Sequence, residues 1–261
     1  MAVIDDIKTM RVQGAINIAE AGLRHLKKTS KKYGFSARFY EECRKLVEAR
    51  PTAVPLFNVV EKIREEKSTK AIDDALLLIK GSKKRIADQR IFRKKSKVMT
   101  HCHSSEVVAF LKGNKNKIKK IYVTETRPRN QGIITAKELG RAGIPVIFIV
   151  DSAMGYYMQD TDAVIVGSDA IRKEGNVNKI GTLPMAITAR AFGKKFYVVA
   201  SKLKIDKRKK IEIEMRSPKE IADMKANILN PAFDITPWKY VTAVINEEGI
   251  MNPKRVLKGL R

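Results

Sequence analysis

Most of the chemistry this chain could perform is concentrated in one run of six residues, Thr100-His101-Cys102-His103-Ser104-Ser105. The run follows an apolar stretch, Lys97–Thr100, and precedes a helical pattern that starts near Glu106. Ser104 or Ser105 can cap that helix, whose free N–H groups then form an anion site. A thiol at such a positive end, with a histidine on either side, is expected to ionise more readily than a free cysteine. The competing expectation is an inert cysteine that only packs, and the polar setting after a strand favours a chemical role. Asp169, at the end of Gly167-Ser168-Asp169, is the second candidate. Its carboxylate could act as a general acid or base, or it could cap a short helix beginning at Ala170-Ile171. The loop Asn176–Thr182 offers the Asn178 amide and the Lys179 ammonium to a phosphate or to sugar hydroxyls. Neither a Gly-Lys-Ser/Thr phosphate loop nor a Gly-x-Gly-x-x-Gly turn is present, so no nucleotide cofactor is expected.

These candidates need elements to position them. Apolar β-type runs occur at Lys97–Thr100, Lys120–Thr124, Pro145–Val150, Ala163–Val166, Phe196–Ala200 and Val241–Ile245. Helical stretches at Glu106–Lys112, Ile134–Ala142 and Leu183–Phe192 separate most of them. Such alternation predicts a Rossmann-like, mostly parallel sheet with helices on both faces. Before it, helical spacing runs from Met10 to Leu26, from Ala37 to Ala49, from Leu56 to Glu66, and from Ala71 into a basic stretch ending near Lys97. The fold class expected is therefore α/β, with an N-terminal helical domain over residues 1–92 and the sheet domain over 93–261. Ligands of open α/β sheets bind beyond the carboxyl ends of the strands. There the sequence places Thr100–Ser105, Glu125-Thr126-Arg127, Asp151-Ser152, Gly167-Ser168-Asp169 and Ser201-Lys202.

Bulk properties narrow the classes further. The 44% of hydrophobic residues suits a packed core, and no apolar run approaches the roughly 20 residues of a membrane span. The start of the chain carries Asp5 and Asp6 rather than a basic-then-apolar leader, so a soluble, cytoplasmic protein is expected, with no membrane partner. Cys43 and Cys102 make no disulfide framework, and adjacent His101-Cys102-His103 cannot easily converge on one ion, so no metal is expected. A formal charge of +25 gathers in three clusters, Lys83–Lys97, Lys112–Lys120 and Lys202–Lys210. The same field could attract a phosphorylated metabolite or hold nucleic acid by its phosphates. Aromatic residues are only 7% and are not closely interleaved with the clusters, which disfavours base stacking.

Five segments in order carry a resemblance to a known family: His101-Cys102-His103-Ser104-Ser105, Thr124-Glu125-Thr126-Arg127-Pro128, Gly167-Ser168-Asp169-Ala170-Ile171, Asn178-Lys179-Ile180-Gly181-Thr182 and Asn230-Pro231-Ala232-Phe233-Asp234. The set resembles the family that joins archaeal ribose-1,5-bisphosphate isomerase, methylthioribose-1-phosphate isomerase and the regulatory subunits of translation initiation factor 2B. Met10–Ala15 and Arg50–Val54 look like that family's N-terminal substrate elements. The resemblance implies an aldose–ketose isomerase in which Cys102 and Asp169 react. Substrate would be bound by Gln13, Gly14, Ala15, Arg50, His103, Ser104, Ser105, Arg127, Asn178 and Lys179, without a cofactor. It implies a phosphorylated pentose as substrate, a nucleotide as possible effector, and a homo-oligomer, dimer or hexamer. Gln13 stands where the family has arginine, which removes a positive charge from the expected phosphate site. The alternative implied is a non-catalytic regulatory subunit that binds sugar phosphate or nucleotide and engages translation initiation factor 2.

Overall fold

The computed structural model describes residues 2–210 and 213–258. Five helices come first: α1 (Ala2–Lys8), α2 (Ala15–Tyr33), α3 (Ala37–Ala49), α4 (Val54–Glu66) and α5 (Thr69–Ala87). Their apolar stripes meet in one core around Leu23, Leu26, Phe39, Leu46, Leu56, Ile63, Ile72 and Ile79. Ser68 caps α5, its hydroxyl accepting from the Ala71 N–H at 3.1 Å. The helix expected from Met10 begins only at Ala15. Met10 and Gly14 both adopt left-handed φ, 61° and 86°, so the chain turns there before the helix starts. The last helix ends at Ala87 rather than near Lys97. The boundary expected at 92/93 falls in the stretch between Ala87 and Ser96, and the outer ends of the two expected domains, Met1 and Arg261, lie outside the described residues.

The chain then alternates: β1 (Ser96–Thr100), α6 (Ser105–Gly113), β2 (Ile118–Thr124), α7 (Gly132–Arg141), β3 (Val146–Ile149), α8 (Met154–Met158) and β4 (Ala163–Val166). After β5 (Ala170–Ile171) and β6 (Asn176–Lys179) come α9 (Thr182–Ala191), β7 (Lys195–Val199), β8 (Phe233–Thr236), β9 (Ala243–Asn246), β10 (Gly249–Met251) and α10 (Pro253–Lys258). Seven strands form one sheet in the order β10-β9-β7-β4-β1-β2-β3, parallel except for β10. Alternate side chains of the central strands face opposite cores. Val98, Ile121 and Ile165 pack with α6 and α7 through Val107, Phe110, Leu111 and Leu139. Met99, Tyr122 and Val164 pack with α8, α9 and α10 through Met158, Met185 and Val256. The fold is thus α/β, with a helical N-terminal region and a mainly parallel sheet covered on both faces. All six expected strands are present.

A second sheet was not expected. Strands β5, β6 and β8 pair antiparallel, with Asn178 opposite Asp234. Two local expectations fail as a result: no helix starts at Ala170, and Asn176–Lys179 is a strand instead of a loop. A polar four-residue strand carries no alternation, and its partner β8 is remote in the chain, so nothing local announces it. Phe233 in β8 is buried, and Trp238 beyond it packs partly against the core and donates from Nε1 to the Arg172 carbonyl at 2.8 Å. Among the described residues no helix is long and apolar enough to cross a membrane.

Candidate active site

The carboxyl ends of β1 and β4, strand β6 and the N-terminal helices surround one cleft of about 720 Å³, counted to its mouth. It is lined by Gly14, Ala15, Arg50, Cys102, His103, Ser104, Ser105, Asp169, Asn178 and Lys179, which unites most of the residues singled out in the sequence. Two stand elsewhere. Gln13 is not in the lining; its Oε1 accepts from Nε2 of Gln131, which does line the cleft, at 3.2 Å. Arg127 is exposed because its backbone N–H is tied to Asp151 Oδ2 at 2.7 Å and its Nη2 donates to the Ile221 carbonyl at 3.1 Å. Its side chain belongs to a neighbouring groove with Pro128 and Leu229. Lys204, Gln131, Ser168 and Phe233 are among the further lining residues that were not predicted for it. Ser168 and Phe233 lay inside quoted motifs, and Lys204 inside a basic cluster; nothing in the sequence marked Gln131.

Cys102 enters the cleft through a strained turn. Its φ is 67°, a left-handed conformation that costs a β-carbon-bearing residue on the order of 1 kcal/mol or more. Two hydroxyls hold the turn. The Cys102 N–H donates to Thr126 Oγ1 at 2.9 Å, and its carbonyl accepts from Thr135 Oγ1 at 2.8 Å. Ser104 caps α6, accepting from the Val107 N–H at 3.4 Å. Gly167 makes the close approach of β4 possible, because a β-carbon there would lie 2.8 Å from Ser104 Cβ.

The histidines do not supply the charge expected of them. His101 is buried, with Nε2 2.8 Å from the Ile180 carbonyl and Nδ1 2.6 Å from Thr124 Oγ1. A carbonyl only accepts, so Nε2 carries the proton. Thr135 already donates to Cys102, so it accepts from His103 Nδ1 at 3.1 Å. Burial holds both imidazoles below their ordinary pKa, so they are neutral near pH 7. The expectation of a readily ionised thiol is therefore corrected. Cys102 keeps an open edge toward the cleft, yet the protein packed around it pushes the thiol up to about 12, against the pull of Lys179.

Asp169 is likewise raised above the usual carboxylate range by burial. Lys204, Lys179 and Arg50 oppose that rise, and Glu214 adds to it. Two of these cations have carboxylate partners: Lys204 pairs with buried Glu106, and Arg50 Nη2 lies 2.9 Å from Glu214 Oε2. Lys179 has none among the described residues. It is 4% exposed, and its ammonium lies 5.1 Å from the Phe233 ring centroid. A buried cation without a counter-ion is costly, and an anionic ligand offsets that cost. Asn178 Nδ2 donates to Thr182 Oγ1 at 2.9 Å, which fixes β6 at the cleft. Asp234 caps α9, its Oδ2 accepting from the Gly181 and Leu183 N–H groups at 2.8 and 3.0 Å. Among the described residues no group of His, Cys, Asp and Glu could hold a metal ion.

Comparison with known proteins places this geometry in a wider set. Residues 11–253 match the model of a family described as the initiation factor 2 subunit family. Ribose 1,5-bisphosphate isomerase of Methanocaldococcus jannaschii is 37% identical over 278 residues, covering 96% of this chain and 90% of that protein. A crystal structure of the Pyrococcus horikoshii translation initiation factor eIF-2B superposes with a TM-score of 0.87 at 27% identity, covering 98% of this chain and 97% of that one. The 5-methylthioribose 1-phosphate isomerase of the same organism gives 0.81 at 30% identity, covering 99% and 86%.

Proposed function

The chain belongs to the initiation factor 2 subunit family, and from that membership we propose that it is a sugar-phosphate aldose–ketose isomerase that converts ribose 1,5-bisphosphate into ribulose 1,5-bisphosphate. The observation that carries the reading is one cleft in which Cys102 and Asp169 meet Arg50, Lys179 and Lys204, with Lys179 buried and unpaired among the described residues. Lys179, flanked by Arg50 and Lys204, suits a phosphorylated sugar better than a neutral one. Met10, Ile16, Ile18 and Phe233 add apolar walls beside these cations. Such walls reduce the water around the open-chain intermediate.

The protonation states suggest an order of events. A sugar phosphorylated at C1 opens its ring only when the ring oxygen gains a proton as the C1–O bond breaks. Asp169, raised by burial, is the acid for that step. Cys102, as thiolate, then removes the proton from C2 and returns it to C1, while the C2 hydroxyl gives its proton back to Asp169. No net electron leaves the substrate, so the chemistry needs no redox cofactor. The thiolate is scarce at neutral pH, and the positive charge developing at C1 favours it when it is needed.

Turnover of ribose 1,5-bisphosphate by purified protein, beside Cys102→Ser and Asp169→Asn, tests the reading. Ribulose 1,5-bisphosphate from the parent, with both variants reduced about 10²–10⁴-fold, supports it. Saturable binding without turnover would replace it with a non-catalytic regulatory subunit, a reading favoured by Gln13 in place of arginine. The chain also exposes Met215, Met224 and Leu229 along one excursion, apolar surface that a homo-oligomer would cover.

A further inference from the structure

We propose that the end of the sheet opposite the cleft is a binding face for the phosphate backbone of a nucleic-acid duplex. Two of the three basic clusters, separate in sequence, meet there. After the middle of α5, Lys84, Arg85, Arg90, Arg93, Lys94 and Lys95 are all exposed. From the last turn of α6 to the start of β2, so are Lys112, Lys115, Lys117 and Lys119. Asp88 is the only carboxylate within residues 84–95, and residues 112–119 contain none.

The fold holds these segments together despite their repulsion. Gly113 lies so close to α5 that a β-carbon would sit 2.0 Å from the Ala87 carbonyl oxygen. Asn114 Nδ2 donates to the Gln89 carbonyl at 2.9 Å, and Lys117 Nζ to the Arg93 carbonyl at 3.4 Å. Ile86, Phe110 and Ile118 form the buried floor beneath.

Much of the charge elsewhere on the surface is paired, although Lys28, Lys31 and Lys32 on α2 are not, among the described residues. On α2 to α5, Arg24, Arg44, Lys45, Lys62, Arg64 and Lys70 each lie beside a carboxylate three or four residues away. On the opposite-end face Lys97 and Lys120, at the starts of β1 and β2, pair with Asp160, but of the exposed cations named above only Lys112 has a carboxylate partner, Glu138 at 3.4 Å, among the described residues. An array of unpaired cations on a rigid support complements a polyanion.

Two observations choose the duplex. Phe92, the one aromatic ring within residues 84–95, is partly buried and packed toward Phe110, 6.2 Å between centroids, which makes it a poor platform for a base. That disfavours single strands, whose binding relies on stacking. No large apolar residue of either segment is exposed, so nothing would anchor the face in a lipid surface. The face lies at the amino ends of β1 and β2, while the cleft lies past Thr100 and Thr124. The length of β2 separates them by roughly 20 Å, so duplex binding leaves the cleft free.

Fluorescence anisotropy of the full chain with a 20-base-pair RNA or DNA duplex of arbitrary sequence, at 50 to 250 mM salt, tests this. The logarithm of affinity is expected to fall linearly with the logarithm of salt concentration, by about 0.9 for each phosphate contacted. The quadruple variant Arg93→Gln, Lys94→Gln, Lys95→Gln, Lys115→Gln should flatten that slope by about 3 and weaken binding more than tenfold. A control with the same charge change, Lys28→Gln, Lys31→Gln, Lys32→Gln, Lys137→Gln, should stay within about twofold, as a local site requires. Tighter binding to RNA or to DNA would identify which duplex the face prefers. Equal losses in both variants, no binding to either duplex, or tighter patch-dependent binding to phosphatidylserine vesicles would each overturn the proposal.

Discussion

A buried thiol and a buried carboxyl that share a cleft impose a pH dependence that can be worked out residue by residue. Catalysis as proposed needs Cys102 deprotonated and Asp169 protonated, the reverse of what a free pair would offer at neutral pH. Between the two pKa values the gain in thiolate cancels the loss of carboxylic acid, so kcat/KM of the parent should be flat there. Asp169→Asn removes the acid, and its residual rate should instead climb about tenfold per pH unit toward the thiol value of about 12. A flat profile in that variant would mean that Cys102 is not the base. Asp234 makes a separate statement about stability. Burial pushes its carboxyl up to about 6 from an ordinary 3.8, against three N–H groups at the start of α9. A raised carboxyl contributes stability at low pH and loses it as pH rises through the folded value. Between pH 4 and 7.5 the parent should lose on the order of 2 kcal/mol relative to Asp234→Asn, whose side-chain oxygen can still accept the same bonds. Parallel urea melts at the two pH values would check it, and identical pH trends would refute it.

At the scale of elements, close approaches made by glycine decide where helices sit. Gly113 brings the end of α6 against the end of α5, and Gly167 brings the end of β4 against Ser104. Gly113→Ala should cost about 1–3 kcal/mol, because the Ala87 carbonyl is backbone and cannot swing aside. Gly140→Ala, in α7 with nothing within 4 Å of its new methyl, is the contrast: neutral or stabilising by about 0.5–1 kcal/mol. Thermal melts of the pair should move in different directions, and equal shifts would show that the α5–α6 contact is soft. Most elements of the main sheet were legible as apolar runs between helical patterns, since burial on both faces leaves an unbroken hydrophobic signature. β5, β6 and β8 were not legible. β5 is only two residues long, while Asn178 and Lys179 face the cleft, Asp234 a helix end and Asn176 the Gly167 carbonyl, and those uses erase the pattern that announces a strand.

For the whole molecule, the helical region and the sheet meet through apolar packing of Ile86 and Val54 and through a few polar contacts. Asn58 on α4 donates to the carbonyls of Leu203 and Ile205 at 2.8 and 2.9 Å. Arg208 donates to the Pro51 carbonyl at 2.9 Å and to Asp206 Oδ1 at 2.8 Å, while Asp206 Oδ2 accepts from buried Arg172 at 2.8 Å. Asp206→Ala leaves buried Arg172 with only the more exposed Glu174, 3.2 Å from its Nε, as counter-ion and should cost on the order of 3 kcal/mol. Adding Arg172→Met should recover much of that loss, and a single-variant loss below about 1 kcal/mol in denaturant melts would contradict this account. What the amino-acid sequence determined by itself was local: the N-terminal helices, the main parallel sheet with its covering helices, and the placement of Cys102 and Asp169 after strands and of Lys179 ahead of a helix. Side-chain periodicity and strand-end position are properties of neighbouring residues, so one chain displays them. Only the tertiary structure decided that Lys204 joins the cleft and Arg127 leaves it, that both histidines are neutral, and that the thiol holds its proton. Those outcomes depend on which remote groups bury a residue and which charge faces it, and burial is created by the packed fold rather than carried by the residue.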